Sequence, residues 1–289
     1  MYDIIIIGMG ISGITAAIYA KRSNKKVLLI DKGTPGGLLN KIDKISNYPG
    51  LIDISGPEFA DILEKQVKSF DIPYILEEVI DIDLEKKIVK TKNNQYEGTK
   101  IILAMGRKPK YLGLDNEQEL IGKGVSSCAL CDAFFYKDKN VAVVGTGNSA
   151  LSEALYLANI ASLVYIINRR DGFRGEDMLV QEIKNNPKIK IIYNANIISM
   201  NEENNKLKSI DLDNKENILV DGVFVYIGNK PATEFIDKKI LDGDGYVKVN
   251  EKFETEIPGI YAIGDIIKKD VYQLVTAASD GARVIYNMK

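Results

Sequence analysis

The chain has 289 residues, 45% apolar and 27% charged, with a formal net charge of -2. That length suits two domains or one large α/β unit, and the balanced charge argues against a nucleic-acid binder or a basic membrane-surface protein. Histidine is absent and cysteine occurs only twice, so imidazole chemistry is excluded and one chain cannot assemble an ordinary four-ligand zinc site.

No apolar run approaches the ~18 residues of a membrane span, and no basic stretch leads into a hydrophobic one at the start. A cytoplasmic protein is the expectation. Residues 4–7, four isoleucines, read as a buried parallel strand. Gly8-Met9-Gly10-Ile11-Ser12-Gly13 follows, then a helix over 14–23 and a strand over 27–30 that ends at Asp31. Strand, glycine turn, helix, strand and acid stand in the order of a dinucleotide site: the glycines let backbone approach a pyrophosphate at the helix N-terminus, and Asp31 can accept from ribose hydroxyls. Residues 100–106 read as another strand ending in small residues.

The two cysteines come next, as Cys128-Ala129-Leu130-Cys131. With zinc excluded and a structural disulfide disfavoured in a reducing compartment, a redox pair is the leading reading, and two buried spectator cysteines are the alternative. The dinucleotide pattern then recurs, with a strand over 140–144, the turn Gly145-Thr146-Gly147-Asn148-Ser149-Ala150, a helix over 151–159 and a strand over 163–167. Two such units imply two dinucleotides or two halves of one transfer path. Past the second strand stand Asn168, Arg169 and Arg170, with Arg174 a turn later. Arginines there can pair with a 2′-phosphate, which favours NADP over NAD, the alternative being solvated surface arginines. Strands over 222–228 and 259–265 close the pattern. Gly264 and Asp265 fall at a strand's C-terminal end, where ligands of such sheets collect, and Asp265 is a candidate flavin ribityl contact.

In this order and spacing, the segments 8–13, 35–38, 47–50, 128–132, 145–150, 168–174 and 259–265 resemble the low-molecular-weight bacterial thioredoxin reductases over essentially the whole chain. The resemblance implies an α/β fold of two Rossmann-like dinucleotide-binding domains, the second inserted into the first. The FAD-binding domain would comprise 1–113 and 244–289, and the NADPH-binding domain 114–243. FAD would be held by Gly8, Gly10, Ser12, Gly13, Asp31 and Lys32, by Gly36, Gly37, Leu38 and Asn47, by Ala104 and Gly106, and by Gly264, Asp265, Gln273 and Leu274. NADPH would be held by Gly145, Gly147, Asn148, Ser149 and Ala150, with Arg169, Arg170 and Arg174. It further implies Cys131 as the flavin-side sulfur, Cys128 as the thiol that attacks thioredoxin, Asp132 as proton carrier, a homodimer, and hinges near Gly113 and 242–245. The missing histidine supports Asp132 independently, since larger disulfide reductases use a histidine for that proton; a turn or cap role is its alternative.

The sequence departs from that family at Asn168 and Asn229, where histidine is usual, at Met105 for threonine, and at Tyr272, where an arginine precedes Gln273. Other readings are a ferredoxin-linked reductase of the same build, a flavin-dependent dithiol oxidase, and a non-catalytic flavin-binding module. Neither of the first two would need the second glycine turn and its arginines.

Overall fold

The computed structural model describes every residue except Asp43, Ser46, Asp53 and Lys289. The chain divides into two units, Met1–Lys108 with Lys230–Lys289, and Pro109–Asn229. In the first, β1 (Tyr2–Ile7) and β2 (Val27–Asp31) pair in parallel, and their Ile, Leu and Val residues are buried on both faces, as central strands require. Helix α1 (Ile11–Arg22) joins them. Helix α2 (Gly56–Ser69) starts on a reciprocal capping box between Ser55 and Glu58, with Pro57 in its first turn, and leads to β3 (Tyr74–Leu76) at the edge beside β2. Then β4 (Val79–Asp83), β5 (Ile88–Thr91) and the first part of β6 (Gln95–Leu103) form an antiparallel meander; the rest of β6 pairs in parallel with β1.

The chain leaves this unit along β7 (Arg107–Pro109). The second unit contains β8 (Val125–Ser126), the short helix α3 (Ala129–Asp132), β9 (Asn140–Val144), α4 (Asn148–Ala158), β10 (Leu163–Asn168), α5 (Asp177–Asn185) and β11 (Ile189–Tyr193). An antiparallel sheet of β12 (Ile197–Glu203), β13 (Lys206–Leu212) and β14 (Asn217–Leu219) follows, then β15 (Gly222–Val225). The parallel sheet here has the order β11-β10-β9-β15-β8. The chain returns along β16 (Asn229–Pro231), which pairs with β7. Lys110 N–H donates to Gly228 O at 2.9 Å, and Ala232 N–H to Gly106 O at 3.0 Å. Finally β17 (Ile260–Ala262) joins β6 in parallel, and α6 (Leu274–Asn287) packs on α1.

The fold is thus α/β, with a βαβ glycine-turn unit in the parallel part of each of two sheets. The crossings at 108/109 and 229/230 precede the expected boundaries at 113/114 and 243/244. The physical reason lies in what those loops do. Gly113 and Leu112 both donate backbone N–H groups to the buried Glu117 carboxylate, at 2.7 and 2.8 Å, so this turn is fastened within the second unit. Ile236 and Ile240 are buried in the first unit's core, which places the turn at 242–246 inside that unit. Among the described residues no helix is long and apolar enough to cross a membrane.

Candidate active site

The first glycine turn is closed toward the protein and open away from it. Gly8 has φ 109°, and a Cβ there would lie 2.3 Å from Ala104 O; one at Gly13 would lie 1.9 Å from Gly8 O. At Gly10, the N-cap of α1, a Cβ would meet nothing within 4 Å, and no side chain caps the helix. Where α2 satisfies the Glu58 N–H of its first turn with Ser55, α1 has no such side-chain cap and leaves its first N–H groups available to an anion. Such a cradle fits the pyrophosphate of a dinucleotide.

The other residues assigned to FAD gather around this turn to different degrees. Asp31 is oriented by Met9 N–H at 2.6 Å and Gly33 N–H at 3.0 Å, which leaves carboxylate lone pairs for ribose hydroxyls. Gly36 N–H donates to Met9 O at 2.7 Å, drawing the loop of Gly36, Gly37 and Leu38 to the same place. Gly264 abuts Ser12, whose Oγ a Cβ there would approach to 2.5 Å. Ala104 touches Gly8, so Gly8, Ser12, Ala104 and Gly264 converge at the C-terminal ends of β1, β6 and β17. Asn47 Nδ2 donates to Gln273 Oε1 at 3.2 Å, just ahead of Leu274 at the start of α6. Lys32 instead faces solvent, 3.6 Å from Glu78. Sequence reasoning missed Lys269 and Asp280, joined at 2.6 Å, with Asp280 also accepting from Gly264 N–H at 3.1 Å. The signal was there: Asp280 is an acid on the apolar face of α6, beside Ala277 and Val284.

The second turn repeats this construction. Gly145 has φ 140° and a Cβ there would lie 2.4 Å from Tyr226 O, whereas Gly147, the uncapped start of α4, faces open space. Ala150 is buried against the turn, while Asn148 and Ser149 are exposed. Arg174 N–H donates to Thr146 O at 2.9 Å, which ties the arginine loop to the glycines. Asn168 is almost fully buried; it accepts from Arg170 N–H at 2.9 Å and donates to Gly172 O at 3.1 Å. The residue that replaces the usual histidine therefore folds the loop, and Arg169, Arg170 and Arg174 project into solvent.

Cys128 and Cys131 are joined by a disulfide, with Cα atoms 5.3 Å apart, across the first turn of α3. Cys128 is buried and Cys131 exposed. Cys131 N–H donates to Cys128 Sγ at 3.2 Å. Ser126 Oγ donates to Asp132 Oδ2 at 2.6 Å and accepts Cys128 N–H at 3.0 Å, so one hydroxyl fixes both the carboxylate and the cysteine backbone. Ala129 N–H donates to the Tyr226 hydroxyl at 2.8 Å. Burial, and then the nearby Glu153 carboxylate, push the Tyr226 phenol well above its ordinary range. Tyr136 is pushed up to about 12 by burial and then by the charge of Asp132. Ser126 was visible in principle as a polar residue two before the first cysteine. Tyr226 was not, since it lies 97 positions from Ala129.

Tyr226→Phe should cost about 1–3 kcal/mol, because it strands a buried N–H. A lower urea midpoint at unchanged slope would show it, and an unchanged midpoint would show that Ala129 finds another acceptor.

The family model described as pyridine nucleotide-disulphide oxidoreductase matches residues 2–282. The chain belongs to that family. Among relatives of this pyridine nucleotide-disulphide oxidoreductase, a thioredoxin reductase of Bacillus subtilis (strain 168) is 39% identical over 98% of this chain and 92% of its own. The crystal structure of Lactococcus lactis thioredoxin reductase, in the FR conformation, superposes with a TM-score of 0.93 at 33% identity, covering 100% of this chain and 98% of that one. A ferredoxin-flavin thioredoxin reductase from Clostridium acetobutylicum is 32% identical, with a TM-score of 0.54, covering 99% of this chain and 96% of that one. Membership makes the chain an oxidoreductase of flavin and pyridine-nucleotide chemistry, and its disulfide is the matching protein group.

Proposed function

We propose that the chain is an NADPH-dependent thioredoxin reductase acting in the cytoplasm, with FAD held by the first unit and NADPH by the second. The observation that carries this is the pair of glycine turns, each closed by backbone contacts and open at Gly10 and Gly147, in a chain whose two cysteines form one disulfide. Bound FAD and NADPH would supply the hydride chemistry that brings two electrons to the disulfide.

Two electrons and two protons convert the Cys128–Cys131 disulfide to a dithiol. Asp132, held by Ser126, moves a proton on and off the pair. The Cys128 thiolate then attacks the thioredoxin disulfide, forming a mixed disulfide and expelling one thioredoxin thiolate. Cys131 attacks Cys128 Sγ, which closes the internal disulfide and releases the second thioredoxin thiol. Cys131 N–H supports Cys128 as the attacker, because a donor on that sulfur favours its charged form. Cys128 is buried, so the attack requires its turn to expose the sulfur.

Ferredoxin as donor is the reading favoured by the likeness to the clostridial structure. It leaves the second glycine turn and the three exposed arginines without a use. Anaerobic titration with NADPH and then NADH decides between them. NADPH should bleach the flavin at lower concentration than NADH. Replacing Arg169 and Arg170 with Ala should raise the NADPH KM roughly tenfold or more, through lost charge-assisted hydrogen bonds, and barely change that for NADH. Bleaching by reduced ferredoxin but not by NADPH would overturn the donor assignment.

A further inference from the structure

The turn after β6 carries a charged residue that neither glycine turn requires. Arg107 follows Gly106, beside the strand end that bears Gly264 and Asp265. Its Nη2 lies 3.3 Å from Asp265 Oδ2, and its guanidinium carbon stands 3.9 Å from the centre of the Tyr272 ring. The Arg107 and Asp265 side chains are 18% and 20% exposed.

We infer that Arg107 is a flavin-holding residue of this chain, the solvent-reaching part of its guanidinium donating to an oxygen of bound FAD. The inference rests on the proposed binding of FAD by the first unit. Guanidinium donors form a rigid planar fork, so an aromatic face on one side and a carboxylate at one end fix where the remaining N–H points. Arg107 stands at the carboxyl ends of parallel strands, where such sheets take their ligands. Charge balance alone does not explain it: Lys269 Nζ, 4.0 Å from Asp265 Oδ1, already gives that carboxylate a cation. Tyr272, which replaces an arginine of the related reductases, is then the platform on which a guanidinium from β7 is laid.

The test is FAD binding to apoprotein, followed by flavin fluorescence, with circular dichroism to verify folding. Arg107→Ala should raise the FAD Kd roughly tenfold or more, the loss expected for one charge-assisted hydrogen bond. Arg107→Lys keeps the charge, lacks the planar fork, and should bind as weakly; it also serves if the Ala variant fails to fold. Combining Arg107→Ala with Tyr272→Arg returns a guanidinium to the same contact and should recover most of the affinity. Wild-type affinity in both single variants overturns the inference. So does wild-type affinity in Arg107→Lys alone, since charge would then suffice. A wild-type protein that takes up no FAD overturns the cofactor reading, and this inference with it.

Discussion

Cys131→Ser is expected to abolish thioredoxin reduction, by roughly a thousandfold or more, while trapping thioredoxin on Cys128. The remaining Cys128 thiol can still open a thioredoxin disulfide, but no neighbouring sulfur resolves the product. A non-reducing gel should show a species at the summed mass of the two proteins, cleared by dithiothreitol. Cys128→Ser should be equally inactive and form no such species. Solvent exposure makes this a fair contest, since Cys131 is the more exposed residue while the Cys128 sulfur accepts the N–H that favours a thiolate. Trapping by Cys131 instead would reverse the two roles and leave the redox pair intact. Bleaching of the flavin by NADPH should survive both substitutions.

Gly10→Ala carries the second large effect. The backbone at Gly10 is extended, with φ -73° and ψ 177°, and space around its missing side chain is empty, so apoprotein stability should hardly change. The same methyl would occupy the pyrophosphate cradle, and FAD affinity should fall roughly a hundredfold. Gly8→Ala is the contrasting control. A methyl there meets Ala104 O at 2.3 Å on a backbone at φ 109°. It should destabilise the fold itself by about 1–3 kcal/mol from overpacking, with backbone strain in addition. Equal FAD affinity in Gly10→Ala and wild type, measured by dialysis, would mean that this turn holds no dinucleotide.

The parts legible in the sequence are those with local causes. The isoleucine run at 4–7 could only be a doubly buried strand, and it became the centre of the first sheet. The strand at 140–144 was read to the residue, because its apolar run is bounded by Asn140 and Gly145. Strand ends were read too long at 100–106 and 222–228, where the structure stops at Leu103 and Val225. The residues that follow, Ala104-Met105-Gly106 and Tyr226-Ile227-Gly228, turn away from the ladder beside Gly8 and Gly145. Both antiparallel meanders escaped notice. Their reversals use positive-φ residues such as Lys87, Asn204 and Asn205, which no apolar period announces. Site residues that depend on distant partners were equally hidden: Tyr226 reaches Ala129, and Arg107 reaches Asp265, 158 positions on.

The crossings have a consequence for how the second unit can be handled as a piece of chain. Its two ends are bonded to each other, Lys110 N–H to Gly228 O, and the host is bonded across the gap, Ala232 N–H to Gly106 O. Excising 109–229 leaves a break that a turn of a few residues can span, and the excised segment likewise has ends close enough to be joined or left as neighbouring termini. A gene encoding the host strands alone, with a short hairpin between Lys108 and Lys230, therefore meets the geometric condition for closing its sheet. The segment behaves as a cassette, and its place in the sequence costs the host core no strand.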